Sequence, residues 1–146
     1  MLFRSFVSQE KYARNIVKKF GLDSKKHAST PMSSSTKLNV DSSGVEVSPT
    51  LYRSIIGSLL YLTASRLDIA FSVGVCARYQ ANPKESHLTA VKRIIRYVNG
   101  TSNYGLWYSK DSNAFLAVYS DVDWAGSVDH QKSTSGGCFY FGNNLV

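Results

Sequence analysis

Cysteine is scarce in this chain, with Cys76 and Cys138 the two examples among 146 residues. That count excludes a disulfide framework. Both lie among apolar neighbours (VGVCARY and GGCFYF), which points to buried, reduced thiols. Histidine is as sparse. His27, His87 and His130 are scattered, so no Cys/His pair has the close spacing of a zinc site. Long apolar runs are missing too: no stretch approaches the ~20 residues that cross a bilayer as a helix. At the N-terminus Arg4 and Ser5 interrupt the apolar residues, and Gln9, Glu10 and Lys11 end them before a secretory core forms. By these residues alone the chain is expected to be soluble and intracellular.

Acids are also in the minority. Ten Asp and Glu face seventeen Lys and Arg, for a formal charge of +7. Such an excess favours salt-sensitive association with polyanions, and it reads equally well as a solvated basic surface. The length suits one modest core, and a hydrophobic fraction of 43% is ordinary for a globular protein.

What is present has a clear order. Ser8 is placed to cap a helix whose face carries Tyr12, Ile16, Val17 and Phe20, with Lys11, Arg14, Lys18 and Lys19 around the remainder and Gly21 at C′. Residues 1–22 thus read as a basic amphipathic helix. Residues 23–49 are rich in Ser and Thr with little to bury, and read as a flexible surface linker, poorly ordered over 23–48. From Thr50, the positions Tyr52, Ile55, Ile56, Leu59, Leu60 and Thr63 form a stripe on a central helix, with Gly57 and Ser58 allowing a close neighbour. Asp68 is placed to cap the next helix, which buries Ile69, Val73, Cys76 and Ala77 until Asn82-Pro83 breaks it. A further helix from Glu85 turns Leu88, Val91, Ile94, Ile95 and Val98 inward and ends at Gly100. Lys92, Arg93 and Arg96 project outward from it, near Lys84 and His87 at its start. They are candidate phosphate contacts, or a solvated face.

After Gly100 the apolar period shortens towards two. YGLWY (104–108), FLAVYSD (115–121) and SGGCFYFGN (135–143) read as strands, the last two joined by a polar turn at 129–132. The fold class expected is α+β, short amphipathic helices followed by an incomplete antiparallel sheet, because a hairpin with an apolar face needs a further strand or a covering helix. The divisions are 1–22, 23–49, 50–100 and 101–146, with order expected over 50–100.

The segments FVSQEKYARNIVKKFGL, YRSIIGSLLYLTASRLDIAFSVGVCARYQANPKESHLTAVKRIIRYVNGT, LWYSK and YSDVDWAGSVDHQKSTSGGCFYFGN resemble, in that order, the Pol polyprotein of copia-type LTR retrotransposons. The likeness runs along essentially the whole chain. It implies that 50–100 is a thumb and connection-like region at the end of a reverse transcriptase, and that 101–146 opens a ribonuclease H-like sheet. One departure is Leu67, where the family commonly has Pro.

Ribonuclease H holds two divalent cations with about four carboxylates. Under the resemblance, Asp121 matches the first-strand catalytic aspartate, and Asp123 is the accompanying acid with a weaker claim. Asp111 and Asp129 match no catalytic position. Asp121 and Asp123 share a strand face and at most hold one magnesium weakly. Neither polymerase nor nuclease activity is expected from these residues, and no cofactor. Asp121 and Asp123 then read as acids at a strand end and as vestiges of an active site.

Short copia-like reading frames of this kind are similar also to secreted RxLR effector proteins of plant-pathogenic oomycetes, which act inside host cells on immunity and cell death. No Arg-x-Leu-Arg occurs here; RIIR (93–96) and EKYAR (10–14) read as helix. That resemblance implies secretion and a host-cell location, including the nucleus. Two functions follow: a non-catalytic interaction protein that meets a host or cellular protein through exposed strand edges, or a Pol relic with residual, non-specific nucleic-acid binding.

Overall fold

The computed structural model describes residues 4–35, 37–109 and 118–119. Its first element is a strand, β1 (Arg4–Ser8), followed by helix α1 (Glu10–Lys19). The expectation of helix from Ser8 is corrected here. Ser8 closes β1, and Gln9 takes the N-cap position without a side-chain cap bond. The strand was not legible locally because its partner lies far along the chain. Strand β2 (Gly105–Ser109) pairs antiparallel with β1, Phe6 opposite Trp107 and Ser8 opposite Gly105. A two-residue strand, β3 (Val118–Tyr119), adds to the far side of β2, for the order β1-β2-β3. Gly105 is required at its position, since a Cβ there would stand 2.3 Å from the Val7 carbonyl oxygen. β2 matches the expected strand at 104–108 within one residue, and β3 falls inside the expected 115–121. The strand expected at 135–143 lies outside the described residues. The arrangement is α+β, as read from the sequence.

Helix α1 buries Ala13, Ile16 and Val17. It ends in a Schellman turn: the Gly21 N–H donates to the Lys18 carbonyl and the Leu22 N–H to the Val17 carbonyl, each at 3.0 Å. Gly21 sits at φ 71°, a conformation glycine adopts without steric cost.

Helix α2 (Pro49–Leu62) starts at Ser48, whose hydroxyl accepts from the Leu51 N–H at 3.2 Å, with Pro49 in the first turn. Tyr52, Ile55, Ile56 and Leu59 are buried as the stripe required, and Leu62 completes it. Leu60 is 48% exposed and takes no part in the core. Gly57 has no neighbour within 4 Å of where a Cβ would lie, so the close approach expected there is absent. A 3-10 turn (Leu67–Ile69) leads into α3 (Ala70–Ala77), which buries Ser72, Val73 and Cys76. Helix α4 (Glu85–Gly100) buries all five residues its spacing assigned inward, with His87 and Tyr97 in addition. It packs against α1, α2 and α3.

The described residues among 23–48 carry no helix or strand beyond a single bridge between Glu46 and Lys84. They nevertheless form a strap fastened to the helices. Ala28, Met32, Leu38 and Val47 pack on the core. Tyr79 donates its hydroxyl proton to the Leu38 carbonyl at 3.2 Å, and Asn99 donates to the Asp23 carbonyl at 3.3 Å. Ser86 donates to the Asp41 carboxylate at 2.7 Å. The apolar residues are too widely spaced to show a period, so the sequence offered no sign of these anchors.

Candidate nucleic-acid interface

Helix α4 presents its residues at 100° steps, and that rotation divides the three cations assigned to phosphate contact. Arg93 and Arg96 line one groove of about 470 Å³ together with Lys37 of the strap, whereas Lys92 is exposed outside that lining. Ser33, Ser86 and Thr89 add hydroxyls, and Asp41 is the one carboxylate in the lining. Arg93 is held in place by the strap. Its Nε donates to the Thr30 carbonyl at 3.1 Å and its Nη2 to the Thr30 hydroxyl at 2.8 Å. The guanidinium is therefore oriented before any ligand arrives, with Nη1 outside both contacts. Lys37 escaped the sequence reading because nothing local relates it to α4.

Lys84 and His87 do not belong to this surface. Lys84 is 4% exposed and lies 3.6 Å from the Glu46 carboxylate. His87 is buried, stacked on Tyr79 with ring centroids 4.2 Å apart. Its Nδ1 accepts from the Lys84 N–H at 2.9 Å, which caps α4, and its Nε2 lies 2.6 Å from the Asn39 carbonyl oxygen. That pairing fixes the ring as the neutral tautomer with the proton on Nε2. A second groove, of about 990 Å³, runs beside α1 and is lined by Lys11, Arg14 and Lys18 opposite His27 and Asn99. Arg14 pairs with Glu10 one turn earlier.

The strongest polar cluster is interior, and the sequence misassigned it. Asp68 caps no helix. Both its oxygens accept from Arg66, Oδ1 from Nε at 3.0 Å and Oδ2 from Nη2 at 2.8 Å. Tyr97 donates its hydroxyl proton to Oδ2 at 2.7 Å. The Arg66 guanidinium also donates to the Thr101 carbonyl and hydroxyl at 2.9 and 2.7 Å. It stands over the rings of Tyr97 and Tyr104, 5.7 and 5.1 Å from their centroids. This lock ties the 3-10 turn to the end of α4. Burial and the adjacent Asp68 carboxylate push the Tyr97 hydroxyl well above its usual range. Burial raises the Cys76 thiol to about 12, so it is an inert apolar group in the folded state rather than a nucleophile.

Asp121 and Asp123, with Asp111, Asp129, His130 and Cys138, lie outside the described residues. Among the described residues, no three His, Cys, Asp or Glu side chains gather as a metal site would need, and no helix is long and apolar enough to cross a membrane.

The chain is 39% identical over 140 residues to the retrovirus-related Pol polyprotein from transposon RE1 of Arabidopsis thaliana, covering 96% of this chain and 10% of that protein. It is 36% identical over 149 residues to the Pol polyprotein from transposon TNT 1-94 of Nicotiana tabacum, covering 97% of this chain and 11% of that one. It is also 40% identical over 96 residues to secreted RxLR effector protein 161 of Plasmopara viticola, covering 65% of this chain and 68% of that protein. The chain thus spans about a tenth of the Pol polyproteins it matches. No protein-family model and no solved structure matches it.

Proposed function

Because the chain belongs to the Pol polyproteins of copia-type retrotransposons, we propose that these residues form a non-catalytic module that binds the phosphate backbone of nucleic acid without reading its sequence. One observation carries this reading: Lys37, Arg93 and Arg96 share a groove, and Thr30 orients Arg93 within it. Cations gathered in one groove neutralise phosphates and release counterions, whereas base readout needs further donors and acceptors. The non-catalytic part rests on the carboxylates. Under the family resemblance these 146 residues supply Asp121, and Asp123 more weakly, where two-metal chemistry takes about four. In a Pol relic the same groove binds phosphates as an inherited property.

The test is binding to an RNA–DNA hybrid between 50 and 200 mM salt. Affinity is expected to fall linearly with salt on logarithmic axes. Arg96→Gln should reduce that slope by about 0.9, as one phosphate contact predicts, and Lys92→Gln should change it less. A wild-type affinity indifferent to salt sinks the reading. With Mg²⁺ added, the hybrid is expected to stay intact; cleavage that disappears in Asp121→Asn would overturn the non-catalytic assignment.

A second reading has its own support. The likeness to a protein named as a secreted RxLR effector covers two thirds of each chain, and β1 lies at an edge of the sheet, where strand addition captures partners. In this reading the chain acts in host plant cells on immunity or cell death through a protein partner. Expression in plant cells should then alter induced cell death; an unaltered response counts decisively against it.

A further inference from the structure

We propose that Thr30 is a phosphorylation site for a proline-directed protein kinase, and that the phosphate it receives lodges on Arg93 and closes the basic groove to nucleic acid. The closure rests on the phosphate-binding function proposed above. The modification itself does not.

Thr30 is exposed, belongs to no helix or strand, and is followed by Pro31. Proline has no N–H and biases the residue before it towards extended backbone. A kinase cleft that offers an apolar pocket without an acceptor after the reacting hydroxyl selects this dipeptide. Ser48-Pro49 is a second such dipeptide, but the Ser48 hydroxyl is engaged as the cap of α2. The Thr30 hydroxyl instead accepts from Arg93 Nη2 at 2.8 Å and donates to the Met32 carbonyl at 3.2 Å. Among the two, only the Thr30 oxygen has an arginine already placed to receive a phosphate.

In the transfer, Thr30 Oγ1 bonds to the γ-phosphorus of ATP and the bond from that phosphorus to the β,γ-bridging oxygen breaks. ADP leaves, the hydroxyl proton passes to the kinase base, and nothing is oxidised or reduced. The product carries about −1.5 to −2 charges and three strong acceptor oxygens. Arg93 then exchanges hydrogen bonds to a hydroxyl and a carbonyl for a charge-assisted, fork-like contact. The effect on the groove follows by counting. Lys37, Arg93 and Arg96 against Asp41 leave two formal positive charges in the lining (three minus one). A phosphate dianion at its edge cancels them.

The experiment treats the full chain with a proline-directed kinase and ATP and maps phosphate by mass spectrometry. Phosphate is expected on Thr30 and lost in Thr30→Val; a native chain that takes none there overturns the site, including one modified at Ser48 alone. The phosphorylated chain should melt at a higher temperature than the unmodified one, and Arg93→Gln should abolish that gain. A gain that survives Arg93→Gln, or no gain, overturns the Arg93 contact. Phosphorylation should also weaken hybrid binding at least tenfold at about 0.1 M salt and flatten its salt slope by about two contacts. Binding unchanged by the phosphate overturns the closure. An unmodified chain that binds no nucleic acid overturns both the closure and the proposed function, and mapping and melting still decide the modification.

Discussion

Asp68→Ala is expected to destabilise the fold by about 3–5 kcal/mol, because it removes the buried carboxylate that takes two hydrogen bonds from the Arg66 guanidinium. Arg66 is 1% exposed and gives two of its contacts to Asp68. Water cannot replace them without opening the junction between the 3-10 turn and α4. Globular domains hold only about 5–15 kcal/mol in total, so the variant should be largely unfolded or nearly so near body temperature. The loss comes from removing one side of a buried pair, and this distinguishes it from the worth of the pair. Arg66→Met combined with Asp68→Leu removes both charges, and that double variant should recover most of the stability. Tyr97→Phe deletes one bond to Asp68 Oδ2 and should cost about 1–2 kcal/mol. Urea denaturation followed by circular dichroism measures all three. A cost below about 1 kcal/mol for Asp68→Ala would show that the lock is hydrated and not dry.

Stability is expected to collapse at alkaline pH more steeply than a surface of lysines would require. Cys76 is raised from 9.0 to about 12 in the folded chain, chiefly by burial. Burial lifts Tyr52 and Tyr97 well above their usual 10.0, with the neighbouring Cys76 and Asp68 adding to the respective shifts. Each group is neutral when folded and ionises more readily when unfolded, so unfolding releases protons. The stability they protect is whole below pH 9 and is lost as pH rises through their folded values. Each contributes up to about 1.4 kcal/mol per pH unit once its unfolded form is ionised. Cys76 acts alone between 9 and 10, and all three act above 10. Denaturation midpoints at pH 7, 9 and 10.5 should show little change over the first interval and a marked fall over the second. Tyr52→Phe should soften that fall. A midpoint flat to pH 10.5 would mean that these groups titrate in the folded state as exposed ones do.

The parts of the fold that could be read in advance are those whose information is local. Leu88, Val91, Ile94, Ile95 and Val98 announce the inner face of α4 by spacing alone, and every one is buried. Gly21 announces the end of α1 because a Schellman turn needs a residue tolerant of positive φ. What escaped depends on partners remote in sequence. β1 is a five-residue strand whose hydrogen-bonding partner is β2. Asp68 looked like a cap because helix caps are commonly aspartates, yet an arginine two residues earlier offers a stronger contact once Thr101 closes over it. Of the three cations assigned to phosphate binding, Arg93 and Arg96 share the groove, and Lys37 replaces Lys92 there. His87, noted only as a neighbour of those cations, serves as a cap of α4 through the Lys84 N–H.

The pairing of β1 with β2 has a consequence for synthesis. Ribosomes deliver a chain in the N-to-C direction, so Arg4–Ser8 remains without its partner until Gly105–Ser109 has been made. At roughly 5–20 residues per second, that wait lasts on the order of 5–20 s. During it the apolar side chains of Phe6 and Val7 have no strand to pair with, and unpaired segments of this kind invite pairing with other chains. Helices α2 and α3 can dock within that interval, whereas α1 packs chiefly on α4, which is complete only at Gly100. The helical core and the sheet therefore close together at the end of that interval, and the inner face of α1 stays uncovered as long as β1 does.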